Sequence, residues 1–210
     1  LLIVGKNPMM SHHFQRARTV LKKMAKDPDR LLVVVDPRRT ETAKLADIHL
    51  AIRPGTDALF YGAMISVILN EGWHDQDYID RHVSGFEVIR SRFTDFDAKA
   101  AVEVCELDFD QVREVSRLFA TRKSSHDSDL GVLMNRHTTL LAERDPGLRA
   151  VCGRIGVPGG HVLPSSVFGL GAHSDERDPD PGRTGATDFP AITGLYPPNV
   201  MPEEILSEHP

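Results

Sequence analysis

Apolar and polar positions along the chain change period several times, and each change marks an element. LLIVG, Leu1 to Gly5, is a short apolar run closed by Gly5, Asn7 and Pro8, which predicts a buried strand followed by a loop. Between His13 and Lys26 the apolar residues Phe14, Ala17, Val20, Leu21 and Met24 recur at helical spacing among basic side chains, predicting an amphipathic helix. LLVVVD, Leu31 to Asp36, is a second all-apolar strand. A helix between two such strands predicts a βαβ unit with parallel strands and a right-handed crossover. Pro37 ends that strand, Thr40 to Leu45 forms a helical turn, and Ile48 to Ile52 reads as a third strand stopping at Arg53-Pro54-Gly55. Thr56 or Asp57 then caps a helix over Ala58 to Asn70.

The middle of the chain is helical by pattern, over Asp75 to Arg81, Ser84 to Phe93 and Asp110 to Arg122, and reads as scaffold. SSHDSDLGVLM, from Ser124, has room for one strand. A helix from Thr138 is expected to break at Asp145-Pro146-Gly147, because a proline inside a helix costs about 3 kcal/mol. From Gly153 onward Gly and Pro dominate and periodicity fails, apart from PEEIL near the end, a proline-started helical turn. Such a tail buries too little apolar surface to offset its ordering entropy, so it is expected to need a neighbour or to stay partly disordered.

Composition narrows the class. The chain has 210 residues, 40% of them hydrophobic, enough for one α/β core. A net charge of -5 with no basic block argues against nucleic acid and against a membrane surface. There is neither a signal-peptide pattern nor an apolar run of about 18 residues. Two cysteines without a CxxC pattern exclude a disulfide framework and a zinc or iron–sulfur site made by this chain alone, which suits a reducing, cytoplasmic setting. Cys105 reads as a small apolar core residue. The adjacent His12 and His13 point about 100° apart on a helix and do not chelate as an i, i+4 pair does.

The chemistry lies at the strand ends. In a parallel α/β sheet, ligands bind outside the carboxyl ends of the strands. Three such ends, Gly5 to Pro8, Asp36 to Thr42 and Arg53 to Asp57, offer backbone N–H groups, hydroxyls, cations and carboxylates, an inventory suited to a nucleotide. Ordinary turn chemistry uses the same residue types. No G-x-G-x-x-G follows the first strand, which disfavours an NAD-dependent dehydrogenase.

The order of these residues resembles the prokaryotic molybdopterin oxidoreductases, the superfamily of formate dehydrogenases, nitrate reductases and dimethyl-sulfoxide reductase. It rests on Gly5, Asn7 and Pro8, then Asp36, Pro37, Arg38, Thr40 and Thr42, then Ala46, Asp47, Arg53, Pro54, Gly55, Thr56 and Asp57. Cys152-Gly153-Arg154-Ile155-Gly156-Val157-Pro158-Gly159-Gly160 is similar to a later family loop, with Cys and Arg in place of the usual Thr and Asn. The resemblance covers about residues 1 to 170 and implies a Rossmann-like parallel sheet flanked by helices over residues 1–168; the Gly/Pro-rich pattern leaves an irregular extension over 169–210. The resemblance also implies molybdopterin guanine dinucleotide with molybdenum or tungsten as cofactor, its guanosine diphosphate part held here. Asn7 and Ser11 would meet the phosphate or ribose side, Asp36 the ribose, Arg38 and Thr40 the phosphates, and Asp57 the guanine. Gly5, Pro54 and Gly55 would shape the turns, and His12 would line the loop.

The family places an iron–sulfur motif and a metal-ligating residue upstream of this segment and a second dinucleotide-binding barrel downstream; neither pattern occurs within the 210 residues. An iron–sulfur cluster is therefore expected only with an upstream segment. The expected partners are the cofactor, a small-molecule substrate and the remaining domains of the same subunit, and these residues alone are expected to be inactive. The Asn135-Arg136-His137 trio falls where family members bring polar residues toward the metal, so an accessory role stands beside that of a plain helix start. The alternative is a non-catalytic guanine-nucleotide-binding or interaction domain.

Overall fold

A computed structural model describes residues 1–11, 15–135, 137–162, 182–191, 196 and 198–207. It divides into two compact units, 1–163 and 164–210.

The first unit is an α/β layer structure. Strands β1 (Leu2–Val4), β2 (Val33–Val35), β3 (Ile48–Leu50) and β4 (His126–Ser128) form one sheet in the order β3-β2-β1-β4, every pairing parallel. Leu2 stands opposite Val33 on one side and His126 on the other, and Val33 opposite Ile48. Side chains alternate across a strand, so one run feeds two cores. Leu2, Val4, Val33, Val35 and Leu50 face the larger core, while Ile3 and Val34 face a smaller one with Leu21 and Met24 of helix α1 (Ala17–Met24). Burial on both faces explains why the first two strands read as unbroken apolar runs.

Helix α2 (Asp57–Asn70) is the hub of the larger core. Its apolar residues go all the way round, the pattern of an enclosed helix, and residues from Asp57 to Leu69 are buried with the exception of half-buried Leu59. Around it pack α4 (Phe86–Thr94), α5 (Ala98–Val104), α6 (Phe109–Thr121) and α8 (Thr138–Val151), with α3 (Gln76–His82) resting on α8. A short helix α7 (Leu130–Leu133) follows β4 directly, and a 3-10 turn spans Ala43–Leu45.

Two expectations are corrected. Helix α8 runs unbroken through Pro146. Leu141, Asp145, Leu148 and Cys152 lie along its buried stripe, whereas Pro146 and Ala142, whose carbonyl loses its partner, are both exposed to water. Tertiary packing outweighs the local cost. Helix α5, absent from the sequence-based plan, is capped by Asp97, which accepts from Ala100 N at 3.0 Å.

In the second unit, Pro198–Val200 forms a 3-10 turn leading into α9 (Met201–Leu206), with Pro202 in its first turn. Glu204 accepts from the N–H groups of Ala186 and Thr187 and from the Thr187 hydroxyl, which together hold its carboxyl down to about 2. Half of the irregular extension expected from residue 169 lies outside the described residues.

Candidate functional site

The carboxyl ends of all four strands open on one edge of the sheet, and the chain order reverses between β1 and β4, the place where open parallel sheets form a crevice. The walls are close there. Gly5 has φ +58°, and a Cβ on it would stand 2.5 Å from Val132 Cγ2, so only glycine lets the β1 loop pass beneath α7. Lys6 is buried beside this contact and pairs with Asp127 at 2.8 Å and Asp129 at 3.6 Å, tying the ends of β1 and β4 together.

The neighbouring strand ends are joined by Asn7. Its Oδ1 accepts from the Thr42 hydroxyl at 2.7 Å and from Thr42 N at 3.3 Å, while its Nδ2 donates to Glu41 at 2.8 Å. Asn7 thus latches the loop after β1 to the loop after β2. Ser11 is exposed and donates its N–H to Asn7 O, rounding off the first loop. His12 lies outside the described residues, as do His13 and Arg136. Asp36 is half-buried and accepts from Arg38 N at 2.8 Å in a local turn. The Arg38 and Arg39 side chains are exposed, whereas Thr40 is buried with its hydroxyl oxygen accepting from Ala43 N at 3.2 Å. Pro54 and Gly55, the latter at φ +85°, form an exposed turn over the start of α2.

Asp57 is the buried acid of this edge. It opens α2 at 6% exposure, and Asn135 Nδ2 donates to its Oδ2 at 2.8 Å across 78 positions of sequence. Burial pushes its carboxyl above the ordinary aspartate range; its own backbone N–H and then the Asn135 amide oppose that shift, and the nearby Asp36 charge adds to it. Thr56, the N-cap residue, donates its hydroxyl to Arg53 O at 2.7 Å and so closes the turn that presents Asp57. The Cys105 thiol is buried and donates to Thr56 O at 3.6 Å; burial pushes it up, the behaviour of an inert core thiol.

Two polar features escaped the sequence reading. Tyr61 Oη lies 2.8 Å from His126 Nε2, and His126 Nδ1 lies 3.1 Å from Asp145 Oδ1, linking α2, β4 and α8. No pattern in the sequence marks this network, because its members lie far apart along the chain. Arg154, which stands where the family loop has Asn, donates to Ser124 Oγ and to the carbonyls of Ala120 and Arg122, filling acceptors at the end of α6. Among the described residues, no group of three or more His, Cys, Asp or Glu side chains is placed to hold a metal ion.

No family model matches the chain. It is 31% identical over 180 residues to acetylene hydratase of Syntrophotalea acetylenica, covering 83% of this chain and 23% of that protein. It is 32% identical over 165 residues to the F420-dependent formate dehydrogenase subunit alpha of Methanocaldococcus jannaschii, covering 78% and 24%, and 32% identical over 127 residues to the periplasmic nitrate reductase of Desulfovibrio desulfuricans, covering 56% and 17%. The solved structure of acetylene hydratase from Pelobacter acetylenicus superposes with a TM-score of 0.64 at 31% identity, over 72% of this chain and 21% of that one. The chain belongs to the molybdopterin oxidoreductase superfamily. It spans about a quarter of the length of the curated superfamily members it matches. Among the described residues of this superfamily member, no helix is long and apolar enough to cross a membrane.

Proposed function

We propose that this chain is the part of a molybdenum or tungsten oxidoreductase catalytic subunit, of formate dehydrogenase or nitrate reductase type, that grips the guanosine diphosphate moiety of molybdopterin guanine dinucleotide. The supporting observation is Asp57: a buried carboxylate, opening α2 at the carboxyl edge of the sheet, with one oxygen engaged by Asn135 and lone pairs left over. The similar proteins are named for a hydration, a formate oxidation and a nitrate reduction, so what they share over this stretch is better sought in the cofactor than in the substrate.

The donor set fits the group. Asp57 accepts where guanine offers N1–H and N2–H side by side, the Asp36 carboxylate suits ribose hydroxyls, and the exposed Arg38 suits a phosphate. Asn7, with both ends of its amide engaged, acts by holding the Glu41–Thr42 loop in place. Gly5 lets the β1 loop pass beneath α7, and Gly55 shapes the turn that leads into Asp57. When bound, the cofactor supplies the redox chemistry of its metal; these residues bind and orient it. The remaining domains of the subunit and a small-molecule substrate are the partners. Two buried, unpaired cysteines suit a cytoplasmic location.

Titration calorimetry with GDP and ADP tests the reading. The unaltered protein is expected to prefer GDP by about ten- to a hundredfold, the scale of one or two charged hydrogen bonds. Asp57→Asn, which places an amide where a second acceptor is needed, is expected to erase that preference. Equal affinity of the unaltered protein for both nucleotides would retire the assignment.

A further inference from the structure

Asp57 and Asn135 come from opposite edges of the sheet. Asp57 follows β3, the outermost strand on one side, and Asn135 follows β4, the outermost on the other, yet their side chains meet at 2.8 Å. Asn135 is half-buried, lies between α7 and α8, and stands beside the Gly55 turn, where a Cβ would come 3.9 Å from its Oδ1. Facing a carboxylate oxygen, its amide must present nitrogen, which fixes the flip of the group.

We propose that Asn135 is a positioning residue for base selection: its N–H, held on Asp57 Oδ2, sets the plane of the carboxylate so that the remaining lone pairs face the N1–H and N2–H edge of a guanine. The inference rests on the guanine reading given above. An aspartate carboxylate rotates broadly about its last torsion, and a fixed hydrogen bond removes that freedom before the base arrives. The choice of residue matters as well. A cation here would neutralise Asp57 and compete with the base for it, whereas an amide orients the carboxylate and leaves its charge free. The same donation stabilises the ionised form against burial. The other groups around Asp57 are Asp36 at the end of β2, the Cys105 thiol, Tyr61 one turn along α2, and Arg144 of α8, which donates to Ala58 O.

Calorimetry with GDP and ADP on the unaltered protein, Asn135→Ala and the isosteric Asn135→Asp, each over a pH series, separates this role from a structural one. Asn135→Ala is expected to lose about tenfold in GDP affinity with ADP unchanged. Its GDP binding is expected to fail at a higher pH on acidification, because Asp57 has lost an N–H that favours its charged form. Asn135→Asp, which sets a second acceptor against the first, is expected to shift further in both measures and serves if the alanine variant folds poorly. A protein that prefers GDP but whose Asn135 variants keep both the affinity and the acid limb overturns this inference and leaves the guanine reading standing. Equal losses for GDP and ADP overturn it too. An unaltered protein with no preference for GDP removes the guanine reading and this inference together.

Discussion

Asp145 holds an unusual position among the charged side chains. It is buried in α8, its Oδ2 accepts from the Ser128 hydroxyl at 2.8 Å, and Oδ1 lies 3.1 Å from His126 Nδ1 and 2.8 Å from Arg149 Nη2. Both nitrogens lie within ion-pair distance of the one oxygen. Burial pushes the carboxyl up, but the imidazole, the guanidinium and the hydroxyl together outweigh it and hold Asp145 below the ordinary range. A carboxyl with a folded value below its unfolded value of about 3.9 contributes stability that is present above that pH and lost as pH falls through the folded value. Asp145→Asn is therefore expected to lose about 3–5 kcal/mol at pH 7, where Arg149 is left without its counter-charge. The deficit should shrink as the unaltered protein is acidified below about pH 4. Urea denaturation at pH 7 and pH 3 measures both; a deficit that does not change with pH would place the cost in packing. None of this was legible in the sequence, because Tyr61, His126 and Asp145 are brought together only by the fold. The places of Gly5 and Asp57 were legible, a glycine closing the first apolar strand and an acid opening the helix after the Pro54-Gly55-Thr56 turn, although ordinary turns use the same residue types.

At the scale of elements, legibility followed burial. The strands β1 and β2 sit in the middle of a sheet covered on both faces and announce themselves as apolar runs. Strand β4, His-Asp-Ser, has no such signature: its Asp127 pairs with Lys6 and its His126 with Tyr61, so it is a strand by pairing rather than by composition. Helix α5 went unseen because the residues it buries, Ala101 and Val102, are too few and too small to set a period. Pro146 misled in the other direction, since its effect was judged without the buried stripe of Leu141, Leu148 and Cys152 that holds α8 together. The helix nevertheless bears the local cost. Pro146→Ala, which restores an N–H facing the Ala142 carbonyl, is expected to raise stability by about 1 kcal/mol, less than the full penalty because the chain has already adjusted. Thermal unfolding checks the sign. A lower midpoint in the variant would mean that proline's restriction of the unfolded chain outweighs the lost hydrogen bond.

On the scale of the whole molecule, the arrangement is a division of labour across one sheet edge. The Gly5 contact and the Lys6 ion pairs tie the ends of β1 and β4 together, Asn7 latches the loops after β1 and β2, and Asp57 and Asn135 meet across the edge. Under the proposed function, the ligand of this edge is the guanosine diphosphate part of the superfamily's cofactor. Mapping backbone amide shifts during titration with GDP tests that claim most directly. The expected result is saturable shifts confined to Gly5–Ser11, Asp36–Thr42, Pro54–Asp57 and Asn135, with ADP producing weaker changes at the same places. Shifts that avoid these segments, or that match for GDP and ADP, would contradict it.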